Sequence, residues 1–139
     1  MAGGISGQSL RLKGKHMQKT KWDSPAELVE VHENPLPAIG DAGYLLARDG
    51  KKLRNAIFLP PRAARGTIVL MTGYSEFIEK YFETIGDLLS RNYCVAVLEW
   101  RGHGLSEGNS KDPQRLHLSH FDQNVEDLED RFERLVHAS

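Results

Sequence analysis

Residues 67–108 read TIVLMTGYSEFIEKYFETIGDLLSRNYCVAVLEWRGHGLSEG and decide the fold of this chain. Residues 68–71 and 94–98 are short continuous apolar runs, which is typical of parallel strands buried on both faces. Between them, apolar residues recur at three- and four-residue spacing and predict an amphipathic helix: Ile78, Tyr81, Phe82, Ile85, Leu88 and Leu89. Arg91 and Asn92 then end the helix. The stretch therefore predicts a right-handed βαβ unit with two parallel strands.

A hairpin is predicted just before this unit. Residues 43–48 favour a strand, Asp49-Gly50 is a strong hairpin-turn signal, and residues 53–59 form the return strand. Two proline residues stop it. Alternation places Leu53, Asn55, Ile57 and Leu59 on one face and Arg54, Ala56 and Phe58 on the other.

A glycine-rich loop follows the second strand of the βαβ unit. It reads Arg-Gly-His-Gly-Leu-Ser-Glu-Gly over residues 101–108. Three glycines in so short a stretch suit a backbone that adopts positive φ or passes close to a neighbour.

The order of strand, Thr-Gly-Tyr turn, helix, strand and glycine loop resembles the α/β-hydrolase superfamily. Within it, the chain looks most like the lysophospholipase and monoacylglycerol-lipase group of serine aminopeptidase S33-type hydrolases. The resemblance covers roughly residues 40–137 and implies an α/β fold. It implies the N-terminal part of that fold, with an antiparallel hairpin leading into a parallel βαβα unit, truncated before the nucleophile strand.

The resemblance also implies where an oxyanion hole would lie. In this family the turn after the third strand supplies one backbone N–H donor, just past a His-Gly pair. Thr72-Gly73-Tyr74 occupies that place here, with Thr72 where the family has histidine. Tyr74 N–H is therefore the candidate donor. The glycine loop is expected to act as scaffold through Arg101, Gly102, His103, Gly104, Ser106 and Gly108.

Ser106 needs separate treatment, because Gly104-x-Ser106-x-Gly108 formally matches the G-x-S-x-G nucleophile pattern. A nucleophile elbow is a sharp turn from strand to helix, whereas the strand here ends near Leu98 and Asp112-Pro113 continues the loop. We therefore assign Ser106 to the scaffold and keep it as a minor alternative nucleophile.

Histidine roles follow from the order of the family's catalytic groups. The family's general base comes after the nucleophile in the chain, so His103 does not correspond to it. We expect His103 to hydrogen-bond the loop to the turn at Tyr74, and Glu99 and Arg101 to pair structurally. His117 and His120 could share a helix face as metal ligands, but no third ligand accompanies them. We predict no metal and no cofactor.

Composition narrows the class of protein. The 139 residues carry a net charge of −1, with 40% hydrophobic and 27% charged residues, as in one globular domain. The near-neutral net charge gives no support for a nucleic-acid-binding protein, whose binding face is strongly basic. The single cysteine, Cys94, excludes a disulfide framework. No apolar run is long enough to span a bilayer and no secretory signal is visible, so we expect a cytoplasmic protein.

The two ends of the chain differ in character. Residues 1–21 are basic, glycine-rich and free of acidic residues, which favours a flexible tail over a transit segment, and Met17 is an alternative start to Met1. Residues 22–139 form the hydrolase portion. Residues 120–136 predict a helix with an apolar stripe of Phe121, Val125, Leu128, Phe132 and Leu135. The solvated face is expected to hold Asp122, Glu126, Asp127, Glu129, Asp130 and Glu133.

Three functions remain open from the sequence. The leading one is the N-terminal fragment of a serine ester hydrolase, inactive alone, whose complete enzyme acts on a lipid or small ester, with ester and peptide substrates not distinguished. The second is a non-catalytic module, stabilised by dimerisation or by a partner strand. The family's sheet order implies that residues 68–71, without the fifth strand beside them, form an unpaired edge to which such a strand could add. The third is a small esterase using Ser106.

Overall fold

The computed structural model describes residues 22–37, 40–108 and 121–138. It contains five strands: β1 (Ser24–Pro25), β2 (Gly40–Leu46), β3 (Lys52–Phe58), β4 (Thr67–Met71) and β5 (Cys94–Leu98). A 3₁₀ helix (Ile78–Tyr81) leads into α1 (Phe82–Ser90), and α2 (Phe121–Ala138) follows the glycine loop. The predicted basic tail, the loop after Gly108, His117 and His120 lie outside the described residues.

The strands form one mixed sheet in the order β1-β2-β3-β5-β4. β2 and β3 are the predicted antiparallel hairpin, in which Tyr44 lies opposite Arg54. Its turn is at Asp49-Gly50, where Gly50 has φ +86°, a conformation that favours glycine. β4 and β5 are parallel, as the βαβ unit predicts, with Leu70 opposite Val97. The fold is therefore the predicted hairpin leading into a parallel unit.

Apolar side chains on the two faces of β5 build two separate cores. Val95 and Val97 pack with Phe58 under α1. Ala96 and Leu98 face the opposite side and pack with Leu135 of α2. All five residues of β5 are buried, because the strand has neighbours on both edges and helices over both faces.

The prediction that residues 68–71 are buried on both faces is wrong. Ile68, Val69 and Leu70 are only partly buried, and Met71 is 41% exposed. The physical reason is position, since β4 pairs only with β5 and forms the edge of the described sheet.

The predicted partition of α2 into apolar and solvated faces is also partly wrong. Leu135 is buried, but Val125 is 37% and Phe132 46% exposed. Asp127, expected on the solvated face, is only 4% exposed. α2 is rotated so that its contact face includes Asp127 and Arg131, whose partners are buried polar groups beside β5.

Candidate active site

The turn after β4 begins with Thr72, which is held by two bonds. Thr72 N–H donates to Leu98 O at 3.2 Å and so extends the parallel pairing by one residue. The indole Nε1 of Trp100 donates to Thr72 O at 2.7 Å. The start of the turn is thus tied to the segment that leaves β5, and both segments lie at the carboxyl ends of parallel strands, where α/β sheets bind ligands.

Gly73 is the most constrained residue of the turn. Its N–H donates to Tyr81 Oη at 3.0 Å and to Glu76 Oε1 at 3.2 Å, and the Tyr81 hydroxyl donates to the same Glu76 oxygen. Its carbonyl accepts from Glu76 N–H at 3.1 Å. A Cβ at this position would lie 2.5 Å from Glu76 Oε1, so the Glu76 carboxylate keeps its place only beside a residue without a side chain.

Tyr74 differs from the two residues before it in having a backbone N–H without an acceptor in the described part of the chain. Within residues 22–37, 40–108 and 121–138, Tyr74 N–H has no hydrogen-bond acceptor, although the adjacent groups of Thr72 and Gly73 are paired. The side chain of Tyr74 is 61% exposed. Ser75 follows with φ +63°, so the backbone enters the left-handed region directly after Tyr74.

The glycine loop folds back on itself and onto the hairpin. Gly102, at φ +78°, donates its N–H to Glu107 O at 3.0 Å. Glu107 N–H donates to Lys52 O at 2.8 Å. A Cβ on Gly108 would lie 2.7 Å from Gly102 Cα, so the two ends of the loop touch through glycine.

His103 and Ser106 are both buried within this loop. His103 Nδ1 contacts Arg101 O at 3.0 Å, and its ring meets the Tyr74 ring edge-on with centroids 5.4 Å apart. His103 Nε2 has no hydrogen-bond partner in the described part of the chain. The loop therefore contacts the turn through two rings, where we expected a hydrogen bond.

The Ser106 hydroxyl bonds to the backbone and to a carboxylate. Its Oγ accepts from Arg54 N–H at 2.7 Å and lies 3.3 Å from Glu99 Oε1. The residue is 7% exposed, and its contacts link the loop to β3.

A buried arginine that the sequence reading overlooked joins the turn and the loop. Arg54 is fully buried and donates to both oxygens of Glu79 and to both oxygens of Glu99 at 2.7–3.1 Å. Glu99 also accepts from Ile78 N–H at 3.1 Å and from Leu105 N–H at 3.1 Å. One carboxylate thus holds the 3₁₀ helix after the turn and the glycine loop together.

Burial and ion pairing oppose each other in this cluster. Burial by itself would raise the pKa of Glu79, but the hydrogen bonds from Arg54 and from Val29 N–H outweigh it and lower the pKa overall. Glu79 therefore stays ionised at neutral pH. A signal for the cluster was present in the sequence, since Arg54 lies on the same face of its strand as Ala56 and Phe58.

A second buried cluster connects the loop to α2. Arg101 donates to Asp127 at 2.9 Å and to Asp49 at 2.8 Å. Arg101 and Glu99 were expected to form structural pairs. Arg101 pairs with the two aspartates, whereas Glu99 pairs with Arg54. Arg131 donates to Glu99 O at 2.6 Å and to Asn55 Oδ1 at 3.1 Å. Burial lowers the pKa of Arg131 to about 10, so it remains protonated at neutral pH.

The sheet order, with the turn and the glycine loop at the carboxyl ends of β4 and β5, is that of the N-terminal part of an α/β-hydrolase fold. Solved structures agree. An α/β hydrolase from Novosphingobium aromaticivorans matches with a TM-score of 0.55 and 21% identity, covering 72% of this chain and 33% of that one. A soluble variant of monoglyceride lipase from Saccharomyces cerevisiae, in complex with a substrate analogue, matches with a TM-score of 0.59 and 20% identity. The match covers 73% of this chain and 31% of that one. A probable hydrolytic enzyme from Pseudomonas aeruginosa PAO1 matches with a TM-score of 0.55 and 22% identity. The match covers 84% of this chain and 36% of that one.

The family assignment is more specific than these fold matches. The model of the family described as serine aminopeptidase, S33, matches residues 62–139, which is more than half of the chain. The chain belongs to this family. No curated protein matches it. It spans about a third of the length of the solved structures named above, consistent with the predicted N-terminal portion of the fold.

The helices that the structure describes include none that is both long and apolar enough to cross a membrane.

Proposed function

We propose that this chain supplies the oxyanion-binding part of a serine hydrolase that cleaves carboxylic esters of the acylglycerol or lysophospholipid type. One observation carries the proposal: in the described part of the chain Tyr74 N–H has no acceptor, and it directly follows Gly73, whose N–H and C=O are both bonded. A fixed, unused N–H is what an oxyanion requires, because it costs no reorganisation when negative charge develops.

In the proposed reaction, a serine attacks the ester carbonyl and the carbonyl oxygen becomes an oxyanion. Tyr74 N–H donates to that oxygen more strongly in the tetrahedral state than in the ground state. Such a donor contributes about 2.7–4 kcal/mol to catalysis. The nucleophile, its acid and its histidine would come from polypeptide outside these 139 residues, so the chain alone would not transfer acyl groups.

The loop residues serve as scaffold in this proposal. Ser106 Oγ is engaged with Arg54 N–H and Glu99, and His103 Nδ1 with Arg101 O. Neither bond joins a serine to a histidine base, which is the arrangement that activates a nucleophile. The contacts therefore favour the scaffold role over the Ser106 esterase. We further propose a cytoplasmic location.

A pair of variants at Tyr74 tests the proposal in the natural protein that carries this sequence. Tyr74→Pro removes the N–H, and we expect kcat for a short-chain ester to fall by about 10²–10³-fold. Tyr74→Phe keeps both the N–H and the ring against His103 and serves as the matched control, with kcat close to wild type. Equal kcat in both variants would refute the donor role.

A fluorophosphonate probe on the 139-residue chain separates the remaining alternatives. No labelling is expected. Labelling that disappears in Ser106→Ala would establish the small esterase in its place. Comparison of ester and peptide substrates on the natural protein then decides the bond that is cleaved.

The non-catalytic module is the second candidate, and the exposed edge of β4 favours it. Met71 is 41% exposed on a strand with one described neighbour, a position where a partner strand or a second copy could add. A natural product of 15.6 kDa that forms a defined dimer or hetero-complex would support the module. A product about twice that mass would support the hydrolase.

A further inference from the structure

Two side chains outside the proposed reaction meet at Gly73. We propose that Glu76 and Tyr81 are positioning residues, which orient the peptide that carries the Tyr74 N–H. The inference rests on the proposed function, because it assigns a task only to a turn that binds an oxyanion.

The geometry of one peptide group carries the argument. Gly73 C=O and Tyr74 N–H belong to the same planar, trans peptide unit, in which the oxygen and the hydrogen point in opposite directions. Gly73 O accepts from Glu76 N–H at 3.1 Å. This bond therefore fixes where Tyr74 N–H points, which is away from the body of the turn.

That bond comes from the Glu76 backbone, whereas the preceding Thr72–Gly73 peptide is held by the side chains of Glu76 and Tyr81. Gly73 N–H donates to Tyr81 Oη at 3.0 Å and to Glu76 Oε1 at 3.2 Å. The Tyr81 hydroxyl donates in turn to Glu76 Oε1. Both peptides that flank Gly73 are thus anchored, and rotation of either one would have to break a bond to Glu76.

The local charge keeps Glu76 suited to this task. Its carboxylate pairs with Lys80 Nζ at 2.8 Å. The hydrogen bond from Lys80, followed by that from Tyr81, lowers the pKa of Glu76. The group is therefore ionised at neutral pH and only accepts hydrogen bonds. Lys80 balances its charge, which would otherwise oppose an oxyanion nearby.

Glycine at position 73 fits the same interpretation. Its φ is not in the left-handed region, so backbone freedom does not explain it. The reason is space, since a Cβ would approach Glu76 Oε1 to 2.5 Å. Gly73→Ala should displace the flexible Glu76 side chain and loosen the turn.

Steady-state kinetics of the natural protein on a short-chain ester test the inference. Tyr81→Phe removes one oxygen atom, and we expect kcat to fall about tenfold with KM unchanged, because a donor used only in the transition state loses its alignment. Glu76→Ala should lower kcat further. Glu76→Gln keeps an acceptor for Gly73 N–H and should restore most of the activity.

Glu83→Ala is the matched control, since Glu83 is an exposed carboxylate on the first turn of α1 and should leave kcat unchanged. Thermal unfolding checks that each variant folds, and if Glu76→Ala does not, Tyr81→Phe decides. Full kcat in Tyr81→Phe, or an equal loss in Glu76→Gln and Glu76→Ala, overturns the inference. If the wild-type protein hydrolyses no ester, the proposed function and the inference both fail. If the wild type is active, the variants test the inference alone.

Discussion

β4 and β5 have similar apolar sequences and very different surroundings. The two strands pair in parallel, with Met71 opposite Leu98. Met71 is 41% exposed and Leu98 only 1%. An apolar run shows that a strand can be buried, but the number of its neighbours decides whether it is.

The ion pairs of the protein also divide into buried and exposed ones. Arg54, Glu79 and Glu99 form ion pairs beside β5 with side chains at most 4% exposed. Arg48 pairs with Glu126 near the outer end of the hairpin, where both side chains are more than half exposed. The β5 side of the sheet is therefore sealed around charge, whereas the hairpin end and the β4 edge are open to solvent.

The largest effect should come from breaking the sealed side. Arg54→Ala leaves Glu79 and Glu99 buried without their counter-ion, which costs about 3–5 kcal/mol of unfolding free energy. Arg48→Ala removes two ion pairs of an exposed arginine, to Glu126 and Asp130, and should cost about 1 kcal/mol or less. Urea unfolding at neutral pH measures both. Similar losses in the two variants would contradict the division.

A leucine-to-alanine change in each strand compares the two sides directly. Leu98→Ala should cost about 2.7–5 kcal/mol, the range for a fully buried leucine. Leu70 is only partly buried, so Leu70→Ala should cost about half as much. The same urea titration applies. A larger loss at Leu70 would mean that β4 is covered in the natural protein, by further chain or by a partner.

Acid should weaken the sealed side by more than the exposed pairs. The pKa of Glu79 is lowered in the folded protein, so its contribution is complete above the unfolded value of about 4.3. That contribution is lost as pH falls through the folded pKa. We expect Glu79→Gln to be about 1.5–3 kcal/mol less stable than wild type at pH 7.

The difference in stability between Glu79→Gln and wild type should shrink below pH 4.5, as seen in urea midpoints measured from pH 3 to 7. Glu126→Gln, in the exposed pair with Arg48, should differ from wild type by about 0.5 kcal/mol or less throughout. A gap at Glu79 that is constant with pH would show that its charge does not matter.

The smallest change in stability, and a change in association, should come from the open side. Met71→Lys puts a charge on the edge strand, where charges block pairing with another chain. We expect a change within about 0.5 kcal/mol in unfolding free energy and weaker self-association in light scattering. Met71→Leu is the apolar control. Unchanged association in Met71→Lys would argue against strand addition at β4.

The sequence alone determined the order and type of the elements. The apolar runs, the Asp49-Gly50 turn and the spacing in residues 78–89 predicted a hairpin and a βαβ unit, which the structure confirms. These signals are local, since a strand or helix is encoded in the period of its own residues. The glycine loop carried the family resemblance in the same way.

Only the tertiary structure decided what each residue meets. It exposed Phe132, buried Asp127 and Arg131, and brought Arg54 to Glu79 and Glu99. It also joined Glu76 and Tyr81 to Gly73 and, among the residues that the structure describes, left Tyr74 N–H without an acceptor. These outcomes depend on contacts between segments far apart in the chain and on the rotation of α2 against the sheet. A periodic pattern cannot specify them, because it fixes which residues share a face and leaves open what lies opposite that face.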